Sequence, residues 1–136
     1  MKRIVGGAGL LAALVLCAAA MAASLPNGTY TGTVGGSALG GKVKGTWTLA
    51  FASPSYTIGF NGTTVVKGSF SQGGGKITFN DKSGKLACSA KGVYSYKLNG
   101  RVLTFKKVSD PNKCAGRIAV LAASFTKKFA SSPGGY

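Results

Sequence analysis

Acidic residues are nearly missing from this 136-residue sequence, which sets two of them, Asp81 and Asp110, against 17 lysines and arginines. Histidine and glutamate do not occur at all. Those absences remove the usual general acid–base pairs and any Ser-His-Asp arrangement, so no residue stands out as catalytic and no enzyme is expected. Metal chemistry is excluded on similar grounds, because two separated aspartates and a few cysteines do not make a ligand set. No cofactor is implied. Tryptophan occurs once, as Trp47. Beyond residue 23 there is no long apolar run and no long helical periodicity.

What is present begins with an export signal of bacterial type. Lys2 and Arg3 precede an apolar run from Ile4 to Leu16, and small residues follow through Ala18, Ala19, Ala20, Met21, Ala22 and Ala23. This order of positive, apolar and small-residue regions reads as a secretory signal peptide over residues 1–23, cut after Ala22 or Ala23. The run is too short and too interrupted by glycine to serve as a membrane span. Cys17 stands where a lipoprotein would carry its acylated cysteine. Leu16 fills the preceding position, where a lipobox needs a small residue, so lipidation is not expected.

Removing the leader leaves one domain's length of chain, with no transmembrane segment, and turns three cysteines into two, Cys88 and Cys114. Export places this pair in an oxidising compartment, secreted or periplasmic, where a disulfide is expected. By the loop-entropy argument it would stabilise the fold by roughly 3–4 kcal/mol. The strongly basic surface attracts anionic partners such as lipid headgroups or cell-envelope polymers, and it also favours solubility.

Period-two alternation fills the rest of the chain. In the run from Lys42 to Phe51, Val43, Trp47, Leu49 and Phe51 share one face, while Lys42, Lys44, Thr46 and Thr48 share the other. Tyr56, Ile58 and Phe60 repeat the pattern, as do Val66 with Phe70, Ile77 with Phe79, Tyr94 with Tyr96, and Leu103 with Phe105. Asn61-Gly62 and Asn99-Gly100 are hairpin dipeptides, and further turn chemistry lies at Ser53-Pro54-Ser55, Gln72 to Gly75 and Asp81 to Gly84. Counting outward gives about eight strands, near 28–34, 42–51, 55–60, 63–70, 75–80, 85–98, 101–107 and 117–129. Asp110-Pro111 caps a turn between the last two, and Asp110 alternatively pairs with Arg117. Gly-x-aromatic recurs at Gly28, Gly45, Gly68 and Gly92, giving strands room to coil. The expected fold is all-β: a small up-and-down antiparallel β-barrel over residues 24–129, with a β-sandwich as the alternative and a flexible tail over 130–136.

These residues resemble lipocalin-like (calycin-type) secreted bacterial proteins. The resembling stretch runs from about Asn27 to Lys128 and includes Gly45-Thr46-Trp47-Thr48-Leu49-Ala50-Phe51, Ile77-Thr78-Phe79-Asn80-Asp81, Gly92-Val93-Tyr94-Ser95-Tyr96, Leu103-Thr104-Phe105 and Asp110 to Cys114. Lipocalins carry a Gly-x-Trp near one barrel end with a basic residue from the final strand region packed over the indole. The resemblance therefore implies a lid of Gly45, Trp47 and Arg117, with Arg117 opening the last strand and its cation over the ring. The family's Gly-x-Trp lies on the first strand, where this chain has Gly28-Thr29-Tyr30.

Two functions follow as expectations. The first is a secreted, non-catalytic binding protein that holds a small apolar or anionic ligand, with Phe51, Tyr56, Phe60, Phe70, Phe79, Tyr94, Tyr96 and Phe105 as candidate lining residues or plain core. The alternative is a basic envelope-associated protein that binds anionic lipid or polymer surfaces without a specific cavity. Nucleic acid is not expected, since the aromatics sit on the inner face away from the lysines. Lysines on the outer faces likewise oppose an outer-membrane barrel.

Overall fold

The alternation resolves into eight antiparallel strands: β1 (Gly28–Val34), β2 (Gly45–Ala52), β3 (Ser55–Phe60), β4 (Thr63–Gly73), β5 (Lys76–Ser83), β6 (Gly92–Asn99), β7 (Val102–Ser109) and β8 (Phe125–Lys127). The structure, a computed structural model, describes residues 24–129. The expected leader over 1–23 with Cys17, and the expected tail over 130–136, lie outside the described residues. Each strand pairs with its sequence neighbour, and β1 also pairs with β8 through Tyr30 opposite Lys127 and Gly32 opposite Phe125. The sheet is thereby a closed barrel, which leaves no unpaired edge.

Alternation decides what fills it. Tyr30, Leu49, Phe51, Tyr56, Phe70, Ile77, Phe79, Tyr94, Leu103 and Phe125 are all buried, while Lys67, Lys76, Lys97 and Lys106 face water. Inside, the rings meet mainly edge to face, as in Phe51 with Phe70 at 5.2 Å, Tyr56 with Phe79 at 5.3 Å and Phe79 with Tyr94 at 5.9 Å between centroids. Burial of each such ring stabilises the fold by about 1.5–3 kcal/mol, so this aromatic stack is the main apolar contribution. Glycine makes the packing possible at one point in particular. Gly68 lies opposite Tyr56, and a Cβ there would come within 2.6 Å of the phenol oxygen.

The hairpins follow turn chemistry with one shift. Asn61 and Gly62 both take positive φ, at 49° and 89°, as a two-residue turn between β3 and β4 demands. At the next such dipeptide the turn slips by one residue. Asn99 stays in β6 opposite Val102, so Gly100 and Arg101 make the loop and only Gly100 has positive φ.

Two elements differ from the sequence expectation. Residues 85–91 are not strand, because Gly84 at φ 115° turns the chain away and Leu86 N–H donates to Val65 O at 3.0 Å. The expected last strand over 117–129 is mostly a helix, α1 (Ala115–Leu121), preceded by a 3-10 turn at Asn112–Cys114, and only β8 remains extended. Alanines at 115, 119, 122 and 123 favour helix there, and Arg117, Val120 and Leu121 fall on one helical face. Arg117 therefore does not open a strand.

Both barrel ends are plugged. The α1 end also carries the loop between β1 and β2 and the segment between β5 and β6. At the opposite end buried Leu25 is clamped by Gln72, whose Oε1 accepts from Leu25 N–H at 2.7 Å and whose Nε2 donates back to Leu25 O at 3.2 Å. Cys88 and Cys114 form the expected disulfide, tying the β5–β6 segment to the residue before α1. A disulfide marks an oxidising, extracellular or periplasmic setting.

Candidate functional site

Both acids of the chain meet at the α1 end. Asp81 ends the inward run of β5, and Asp110 follows β7; both are buried, at 8% and 7% exposure. Between them lies Arg117, whose side chain is 5% exposed. Its Nε and Nη2 donate to the two oxygens of Asp110 at 2.8 and 2.6 Å, and Nη2 also donates to Ala90 O at 2.7 Å. This bidentate geometry is the strongest form of the pair and fixes the guanidinium plane. Nη1 lies 3.4 Å from Asp81 Oδ2, but it is buried and makes no hydrogen bond.

Two tyrosines complete the row. Tyr56 donates its hydroxyl to Asp81 Oδ1, and Cys88 N–H donates to Oδ2 at 2.9 Å. Tyr94 donates to Asp110 Oδ2 at 2.6 Å. Burial first, then the hydrogen bond and charge of the adjacent carboxylate, hold both phenols above their ordinary pKa. For Arg117, burial alone would lower the pKa, but Asp110 and Asp81 outweigh it and raise it. Gly92 leaves the necessary space, since a Cβ there would stand 2.6 Å from Asp110 Oδ2 and 2.9 Å from Arg117 Nη2.

Beside this row, under α1, is a cavity of about 200 Å³. Trp47, Ile58, Val66, Val120 and Leu121 form its apolar wall, Arg117 and Asp81 its polar side, and exposed Lys42 and Leu86 its rim. None of the eight aromatics proposed from the sequence as lining residues borders it. Phe51, Tyr56, Phe70, Phe79, Tyr94 and Phe105 pack on one another within the barrel. Phe60 stacks on Trp47 at 4.3 Å, and Tyr96 donates to Gln72 Oε1 at the far end. A wider groove at that far end is lined by Arg101, Lys127, Lys128 and Phe129, with the Arg101 guanidinium 3.5 Å from the Phe129 ring centre.

The residues of the expected lid are present but arranged differently. Gly45 opens β2 at φ 149° against the Asn61 side chain, and Trp47 donates Nε1–H to Val43 O at 2.8 Å. The ring stacked on the indole is Phe60, while Arg117 is held by the aspartates across the cavity from the tryptophan. Carboxylates outcompete an aromatic face for a buried cation, because a bidentate charge-assisted pair is the stronger bond. The sequence placed Ile58 and Val66 on the inward face but nominated neither Asp81 nor the α1 residues Val120 and Leu121. The spacing of Arg117, Val120 and Leu121 was the available signal for the latter.

No family model matches the sequence, and comparisons with curated proteins and with solved structures find no match either. The closed eight-stranded antiparallel barrel is compatible with a lipocalin-like fold. Among the described residues, no group of three or more His, Cys, Asp or Glu comes together to hold a metal ion, and no helix is long and apolar enough to cross a membrane.

Proposed function

We propose that the protein is an exported, non-catalytic binding protein of lipocalin-like type that holds a small, largely apolar ligand in the cavity beneath α1. The observation that carries this reading is the cavity itself, about 200 Å³ with an apolar wall of Trp47, Ile58, Val66, Val120 and Leu121 and the Arg117–Asp81 ion pair on its polar side. Sites for small molecules are mostly apolar with a few placed polar groups, which is the character of this lining. The titratable groups of the row are committed to one another, which supports binding over catalysis.

Native mass spectrometry of protein isolated from its source tests the proposal. A retained small molecule is expected, and it should be lost from Val120→Phe, which fills the cavity while keeping α1 apolar. A source-purified protein that carries nothing, with no small molecule able to shift Trp47 emission, would overturn it.

A second reading rests on a different observation. Both acidic side chains are buried, so the described surface carries positive charge alone, and Leu39 and Leu86 stand 42% and 47% exposed at the α1 end. That combination suits docking to an anionic envelope surface.

A further inference from the structure

A cavity mouth and a docking face cannot share one end of the barrel. Leu86 is an exposed apolar residue of the α1 end, and with Lys42 it also forms the rim past which the cavity opens to solvent. Docking through that end would close the cavity. Resting on both readings given above, we infer that the docking face is the opposite end, where Arg101, Lys127, Lys128 and Phe129 seat the molecule on an anionic phospholipid surface and leave the cavity mouth facing away from it.

Backbone pairing gathers these residues. β8 ends between β1 and the loop joining β6 to β7. Lys127 N–H donates to Arg101 O at 2.7 Å, Arg101 Nη2 donates back to Lys127 O, and Lys128 N–H donates to Thr29 O at 2.8 Å. The Lys127 stem runs over Gly28, where a Cβ would come within 3.0 Å of Cε. Three cations thereby border one groove together with Phe129. Both aspartates are at the other end, in ion pairs with Arg117, so no described carboxylate neutralises this cluster. Like charges held together repel, and a negative surface relieves that repulsion.

The apolar side chains select a bilayer as the partner. Phe129 is 73% exposed, and Val102, next to Arg101, is 41% exposed. A free phosphate or a soluble polyanion would meet the cations and leave both apolar side chains in water. The interface of a bilayer takes both at once, with lipid phosphates at the cations and apolar groups at the acyl boundary. Stacking keeps the Arg101 guanidinium on the Phe129 ring, so charge and apolar surface arrive together.

Co-sedimentation of the oxidised mature protein with vesicles of phosphatidylglycerol and phosphatidylcholine in equal parts tests this. At about 0.05 M salt the screening length is roughly 14 Å, about half the length of an eight-residue strand such as β2, so charges at the two ends act separately. Lys127→Gln with Lys128→Gln should weaken binding roughly 20-fold, about fivefold for each cation removed from the surface. Lys82→Gln with Lys85→Gln removes the same charge at the α1 end and should weaken it less than about threefold. Phe129→Ser should weaken it about tenfold. Equal effects of the two lysine pairs, or no effect of Phe129→Ser, would overturn the inference. So would displacement from the vesicles by glycerol phosphate at constant ionic strength, which would make the groove a site for a free anion. Polygalacturonate binding that suffers the same loss in Phe129→Ser would overturn it in favour of a polymer. A loss confined to the Lys82 and Lys85 pair would put docking at the α1 end and keep the second reading. No binding by the unmodified protein would refute that reading as well, and the cavity is decided separately by its retained ligand. Lys128 and Phe129 are exposed and Lys127 keeps its backbone pairing, so unchanged urea midpoints should show each variant folded. Phe129→Ser decides the inference even where the Lys127 and Lys128 pair fails to fold.

Discussion

Arg117 shows how far a single residue can be read from a sequence. Its basic character and its nearness to Asp110 were visible, and so was the pairing of the two as one option. Its second carboxylate was not, because Asp81 lies 36 positions earlier and reaches it only through the closure of the barrel. Removing the guanidinium strands two buried carboxylates, so Arg117→Ala should cost about 3–5 kcal/mol in urea denaturation. Trp47→Ala should cost a similar amount, roughly 3–5 kcal/mol, through the void left under Phe60. Double-mutant cycles separate the two partnerships, and Arg117 should couple more strongly to Asp110 than to Trp47. A larger coupling to Trp47 would restore the cation over the indole. The phenols make a further test. Tyr56 and Tyr94 are raised above their ordinary value of 10 in the fold, so above about pH 10 the native state keeps protons that the unfolded chain releases. Their contribution is therefore full below pH 10 and is lost as pH rises beyond it. Ultraviolet titration should show both ionising only with unfolding, and Tyr56→Phe or Tyr94→Phe should flatten the alkaline slope.

Among the elements, the central strands were legible and the covering segments were not. β1 and β3 match the expected residue ranges, β3 because Ser53-Pro54-Ser55 and Asn61-Gly62 bracket its alternation on both sides. α1 was read as strand because Ile118 and Val120 also satisfy a period of two, and seven residues are too few for the helical period to win. Its conformation is settled by what it covers, the cavity and the ion pair. The disulfide holds that cover in place: Cys114 lies just before α1, and Cys88 donates its N–H to Asp81. With a sequence separation of 26 between the cysteines, the bridge is worth about 3.5 kcal/mol by the loop-entropy argument. Reduction should lower the urea midpoint accordingly. In hydrogen exchange, residues 84–91 and α1 should lose protection before the strands do. Uniform loss across the barrel would show that the bridge supports the whole fold and not its cover.

At the scale of the molecule, charge is distributed by sign: one cation and both acids inside, the remaining described lysines and arginines outside. The excess was plain from composition, but its segregation required the fold. Vesicles containing anionic lipid should bind the protein at low salt and release it near physiological ionic strength, where exposed charges are screened over about 8 Å. Sedimentation across a salt series measures this, and binding that persists in high salt would mean that apolar insertion dominates. With two aspartates and neither glutamate nor histidine, the chain also has few of the side chains by which most proteins adjust to acid. Lysine and arginine hold their protons until about pH 10. Electrophoretic mobility should therefore stay nearly level and cathodal from about pH 5 to pH 9, far from the isoelectric point near 10.2. Across that span the molecule has no pH at which its copies cease to repel one another, so acidification of its surroundings gives them no occasion to precipitate.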